Sequence, residues 1–175
     1  MKKLTKMMLT KWHYFEHKII DFDDINFLTG KNSSGKSTLI DAMQVVLLGE
    51  TDGTSFNKAA DIKANRSFTS YIIGELGDDV NGGEKSLRGG KEFTTQLVCE
   101  FKDTMNDEYF CIGILVDSYS DMANAKRVFF RLRDRLDESD YIYNNQPRNI
   151  NQFKSWCREK YGKDDKTIKF MDTNT

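Results

Sequence analysis

Gly30-Lys31-Asn32-Ser33-Ser34-Gly35-Lys36-Ser37 is the run of residues on which the fold turns. Its spacing, G-x-x-x-x-G-K-S, is that of a Walker A phosphate-binding loop. The two glycines permit a tight loop whose backbone N–H groups face inward around phosphate oxygens. A helix starting at the loop adds unsatisfied N–H groups and the positive end of its dipole. Lys36 then reaches the β- and γ-phosphates, and the Ser37 hydroxyl serves Mg²⁺. The expected nucleotide contacts are Gly30, Lys31, Asn32, Ser33, Ser34, Gly35, Lys36, Ser37 and Thr38. Lys36 and Ser37 are the catalytic candidates, Ser37 is the metal ligand, and ATP with Mg²⁺ is the expected ligand pair.

Working outward, residues 25–28 (Ile-Asn-Phe-Leu) read as a central strand feeding the loop. Residues 38–48 read as a helix that is apolar on more than one face, hence buried, with Gly49 as its C-cap. Two earlier strands are expected over 7–15 and 17–22, with Asp23-Asp24 as a turn. Residues 50–91 are rich in glycine. A short helix is expected over 68–76, and 77–90 looks like a mobile loop, too long for a tight turn. Three strands follow over 93–101, 109–117 and 127–132, joined by short polar connectors that imply antiparallel pairing. Tyr141-Ile142-Tyr143 before Asn144-Asn145 suggests a hairpin. Asn151 is a candidate cap for a helix in which Phe153, Trp156, Cys157 and Tyr161 share a face, ended by Gly162. A last strand is expected over 167–171. The expectation is a single α/β lobe, 1–175, in three parts: 1–49, 50–91 and an antiparallel portion over 92–175. A nucleotide kinase or small GTPase would instead continue into repeated strand–helix crossovers.

Composition narrows the class. Lys plus Arg is 26 and Asp plus Glu is 27, so net charge gives no vote for nucleic acid. Cys99, Cys111 and Cys157 have no ligand spacing and sit in apolar or amphipathic runs, which predicts buried, reduced thiols in a cytoplasm. His13 and His17 lack a partner pattern for zinc. No apolar run approaches the ~20 residues needed to span a bilayer. The start, Met1-Lys2-Lys3-Leu4, lacks the apolar stretch of a signal peptide.

The run from Ile20 through Gly30-Lys31-Asn32-Ser33-Ser34-Gly35-Lys36-Ser37 to Leu39-Ile40-Asp41-Ala42-Met43 resembles the N-terminal head lobe of the structural-maintenance-of-chromosomes, Rad-fifty, RecN and MukB superfamily. Asn32 matches the asparagine of its G-x-N-G-x-G-K-S pattern, and Tyr141-Ile142-Tyr143-Asn144-Asn145-Gln146-Pro147 resembles its short Tyr-Ile-Asn-Gly hairpin. Ser33 departs from the usual glycine. Residues 60–77, with Leu87-Arg88 and Phe93-Thr94, are most similar to the MukB-like condensin ATPase of bacterial plasmid defence, the JetC type of Wadjet.

The resemblance implies an α/β P-loop NTPase lobe of an ABC-type ATPase head, bearing an antiparallel β subdomain. It implies further parts outside these residues: a coiled-coil arm with a hinge and a C-terminal head lobe carrying the signature loop, the Walker B acids and the switch histidine. Implied partners are that lobe, a second copy through head engagement and hinge, kleisin-like and accessory subunits, and double-stranded DNA, in a bacterial cytoplasm on nucleoid or plasmid. Arg66 is a candidate for phosphate or DNA. One of Trp12, His13, Tyr14 and Phe15 is a candidate to approach adenine. Lys85, Arg88, Lys91, Arg127, Arg131, Arg133 and Arg135 are candidate DNA-backbone contacts, the last three expected on one side of an extended strand. Asp117, after Ile114-Leu115-Val116, only imitates a Walker B strand and reads as a strand-end residue. Gln96 and Gln146 do not fit a Q-loop. Two other classes stay open: a self-contained P-loop kinase or GTPase, and a nucleotide-binding structural lobe without hydrolysis.

Overall fold

The computed structural model describes residues 1–31, 34–53, 56, 67–78, 84–120, 124–163 and 166–172. Its centre is an antiparallel sheet. The strands are β1 (Lys2–Trp12), β2 (Phe15–Asp21), β5 (Phe93–Asp103), β6 (Glu108–Ser118), β7 (Lys126–Leu132) and β10 (Ile168–Asp172), in the spatial order β10-β7-β6-β5-β1-β2. Alternation along the strands divides the core between the two faces. Met7, Leu9, Leu97, Cys99, Ile114 and Val116 point to one side, where helices α1 (Lys36–Leu48) and α2 (Phe68–Ile73) cover them. Met8, Val98, Leu115, Val128 and Phe130 point to the other, under α4 (Ile150–Tyr161). The last strand to join, β10, pairs with β7 at the far edge.

Two small hairpins complete the lobe. The first, β3 (Glu75–Asp78) with β4 (Glu84–Ser86), replaces part of the loop expected over 77–90. It also shortens α2, which stops at the left-handed Gly74 rather than reaching residue 76. The second, β8 (Ile142–Tyr143) with β9 (Gln146–Pro147), follows the single helical turn α3 (Glu138–Tyr141). Asn144 and Asn145 both take positive φ, 50° and 59°, the backbone a two-residue hairpin turn needs.

Three further expectations need correction. Residues 25–28 form no strand: a strand needs a ladder partner, and both edges of β1 are taken by β2 and β5. The segment is instead folded by a local Asx arrangement, in which Asn26 Oδ1 accepts from Asp23 N at 2.8 Å and Asn26 Nδ2 donates to Asp23 O at 2.8 Å. Helix α1 is not buried all round. Thr38, Leu39, Ala42, Val45 and Val46 face the sheet, while Ile40, Leu47 and Leu48 face outward. The cap of α4 is Asn149, not Asn151: its side chain accepts from Gln152 N, and the Gln152 side chain accepts from Asn149 N, a reciprocal capping box.

Candidate phosphate-binding site

The loop leads into α1 through Gly35, which serves as N-cap with φ 95° and brings no side-chain cap. No acidic residue sits in the first turn of the helix. An N-terminus left without a carboxylate keeps its positive dipole end and its N–H groups available for an anion. Lys36 curls back over the loop. Its Nζ donates to the carbonyls of Gly30 at 2.7 Å and Lys31 at 2.8 Å, and lies 3.3 Å from Ser34 Oγ. The lysine thereby closes the loop on itself.

A cradle that side chains would fill is the observation against which nucleotide is tested. A Cβ on Gly30 would stand 2.6 Å from Ser34 Oγ, and one on Gly35 would collide with the Tyr14 hydroxyl and lie 3.1 Å from the Phe15 ring. Both glycines also have φ in the range that disfavours L-residues, 152° and 95°. Lys36, the bare helix N-terminus and this close-walled loop fit a polyphosphate. Ser37, half-buried at the second helical position, fits the metal ligand of such a site. Asn32 and Ser33 lie outside the described residues, as does Arg66.

The helix behind the loop is held by buried polar contacts. Trp12 Nε1 donates to Thr38 O at 3.0 Å, and its ring stacks on Tyr71 with centroids 4.7 Å apart. Tyr71 Oη donates to the buried Asp41 carboxylate. Of the four aromatic candidates near adenine, Trp12 is fully buried in this packing. Tyr14 is partly exposed and stands against Gly35. Sequence could name the group but not choose within it, because the choice depends on how the β1–β2 turn lies on the loop.

The remaining candidates do not converge here. Arg127 donates to Thr51 Oγ1 at 2.9 Å and lies over the Phe68 ring. No stripe of Arg131, Arg133 and Arg135 forms, because β7 ends at Leu132. The buried Glu100 carboxylate accepts the Leu136 N–H at 2.7 Å and draws the chain away, with Arg135 laid over Tyr109. Arg88 is buried rather than displayed: it donates to His13 O and to Glu16 Oε1. Lys85 and Lys91 are exposed.

Asp117, one residue from the end of β6, accepts from Thr94 Oγ1 at 2.8 Å and from Ile150 N at 3.2 Å. It thus ties the start of α4 to the sheet, and burial pushes its carboxyl above the usual range despite those bonds. Gln96 is fully buried and donates to the carbonyls of Tyr141 and Arg148, fixing the second hairpin. A cleft of about 570 Å³ lies beside the β1–β2 turn, lined by Lys11, Glu16, Arg88, Lys91 and Ser118, and it includes none of the loop residues. Among the described residues no His, Cys, Asp and Glu side chains group as a metal site. Nor is any helix there long and apolar enough to cross a membrane.

Residues 4–63 match the family model for the P-loop-containing region of AAA domains. No curated protein matches the chain. The match covers most of β1 and all of β2, the loop and α1, the segments that build the cradle. The chain is an α/β P-loop NTPase lobe with a large antiparallel sheet, an architecture consistent with nucleotide binding.

Proposed function

We propose that this lobe is the ATP-binding half-head of an SMC-like motor that moves or loops double-stranded DNA, of the MukB-like kind that serves plasmid defence or chromosome maintenance. Its ATP hydrolysis depends on a C-terminal head lobe and on engagement of two heads. The observation that carries this reading is the segment before the loop. Ile25 is 76% exposed and Phe27 84% exposed, although an apolar run entering a phosphate loop ordinarily belongs to a sheet. Beside it runs an apolar groove of about 620 Å³, lined by Leu4, Phe22, Leu28, Ile40, Met43 and Leu47. A second lobe that supplies strands alongside residues 25–28 satisfies both the backbone and this apolar surface.

Within the engaged pair, this lobe supplies grip. The N–H groups at the start of α1 and the Lys36 ammonium offset phosphate charge as it shifts toward the leaving oxygen. Ser37 would hold the metal, which would supply positive charge against the phosphates. The water-orienting acid and the signature loop come from the partner lobes. Arg66, the kleisin-like and accessory subunits, and DNA contacts of exposed Lys85 and Lys91 belong to the same proposal.

Calorimetric titration of Mg²⁺-ATP into the chain and its Lys36→Ala variant tests it. Expected is Lys36-dependent binding with negligible turnover. Removal of the ammonium should weaken binding on the order of a hundredfold, as loss of a charge-assisted contact to phosphate does. Rapid hydrolysis by the chain alone would refute dependence on a second lobe and favour a self-contained NTPase.

A further inference from the structure

We infer that Arg88 is a positioning residue for the nucleotide loop, acting through the β1–β2 turn and Tyr14. The inference rests on the nucleotide-binding reading above and adds a residue far from the Walker motif in sequence.

Arg88 is only 5% exposed, although it follows a short surface hairpin. Its guanidinium clasps the turn from both sides of Tyr14. Nη2 donates to the carbonyl of His13, and Nη1 donates to Glu16 Oε1 at 3.2 Å. The ring of Phe93 lies 5.7 Å from the guanidinium carbon. Backbone bonds fix the arginine's own position, since Arg88 N donates to Ile73 O at 2.9 Å and Leu87 N to Gly74 O at 3.0 Å. The turn needs such support. Lys11 and His13 both hold left-handed backbone, φ 55° and 48°, a conformation that non-glycine residues keep only where surroundings over-determine it. His13 N donates to Tyr71 O at 2.7 Å, which supplies one tie, and Arg88 supplies two more.

What the turn carries is the wall of the phosphate loop. Tyr14 stands so close to Gly35 that its hydroxyl occupies the place a Cβ would take. Gly35 is in turn the N-cap of α1 and immediately precedes Lys36. The contacts therefore run from Arg88 to the His13 carbonyl and Glu16, then to Tyr14, then to Gly35. Burying a guanidinium is costly unless its donors are used, and here Nη1 and Nη2 are both spent on this turn, while the buried Nε has no hydrogen-bond partner among the described residues. Burial also lowers the basicity of Arg88, with Glu16 opposing that shift, while Lys11 and Arg88 hold Glu16 ionised. A planar fork reaches a carbonyl and a carboxylate at once, which a lysine ammonium on a flexible stem does not reproduce.

The test is a double-mutant cycle read by calorimetry with Mg²⁺-ATP, on the whole chain, with melting temperature recorded for every variant. Arg88→Gln should weaken ATP binding on the order of tenfold, because loosening the turn misplaces the loop wall. Arg88→Lys should fall between it and the parent. In a Tyr14→Ala background, Arg88→Gln should cost no further affinity. Gln96→Ala, on the opposite face of the sheet, should lower the melting temperature while leaving ATP affinity unchanged. Equal losses in both backgrounds, or unaltered affinity in Arg88→Gln and Arg88→Lys, would overturn the positioning role while the parent still binds. Failure of the parent itself to bind ATP would overturn the nucleotide reading and this inference with it. If Arg88→Gln does not fold, the Arg88→Lys arm of the cycle decides.

Discussion

Cys99, Cys111 and Cys157 show how far a residue's chemistry is set by where it ends up. All three are buried as free thiols. Burial pushes Cys99 and Cys157 up to about 12 and raises Cys111 as well, and the Cys111 Sγ donates to Asp134 O. Thiolate, not thiol, attacks thiol reagents. At pH 8 the folded chain should react with an aromatic disulfide reagent at no more than its rate of opening, and release three equivalents once unfolded in urea. Fast stoichiometric labelling of the native chain would contradict the buried placement. The linkage has a definite sign. Since folding raises these pKa values, the unfolded chain loses protons first. The thiols' contribution to stability is intact below about pH 9 and declines as pH rises from there toward 12. Sequence anticipated the burial of the cysteines from their apolar runs. It could not anticipate that Arg88, one of several basic residues in a polar stretch, is buried under the β1–β2 turn, because its partners lie some 75 residues away.

At the scale of the element, local signals did well where the controlling interactions are local. Residues 36–48 form the helix expected after the loop, ended by Gly49 at φ 69°, whose N–H donates to Val45 O. β5, β6 and β7 fall where alternation and apolar weight put them, with antiparallel connectors as short polar turns require. β1 (Lys2–Trp12) and β2 (Phe15–Asp21) instead lie upstream of the expected 7–15 and 17–22, because the chain reverses at His13 and Tyr14. Where the reading slipped, another interaction decided. Asn149 and Asn151 are equally good caps by residue type, but only Asn149 pairs with a glutamine three positions on. Asn149→Ala should therefore lower folding stability by about 1 kcal/mol, and Asn151→Ala should change it by roughly half that or less, as urea melts would measure. Similar losses for both would argue against the capping box. Residues 25–28 failed as a strand for a different reason. β-structure is completed by neighbours, and propensity in one segment does not supply them.

On the scale of the whole molecule, the six-stranded sheet is covered on both faces, yet the outward side of α1 and the segment before the loop are not. Leu47 is 50% exposed and sits by the groove that also contains Leu28 and Ile40. A joint Phe27→Glu and Leu47→Glu variant should fold with stability within about 0.5 kcal/mol per site of the parent, since both side chains already face water. It should also bind less of a dye that fluoresces on apolar surface. A large loss of stability would mean that the face is covered within the chain after all. Under the half-head reading, the same variant should fail to support hydrolysis when the C-terminal lobe is added.

Sequence by itself determined the Walker A pattern, the helix behind it and the run of antiparallel strands. Each of these depends on residue type at short, regular spacing, through backbone geometry, capping and alternation of faces. Only the tertiary structure decided that Tyr14 rather than Trp12 walls the loop, that Arg88 braces the turn, and that Asp117 anchors α4. It likewise decided that the segment before the loop forms no strand and stands exposed. Burial and hydrogen-bond partnership belong to segments brought together from across the chain, and no local window of sequence contains both partners.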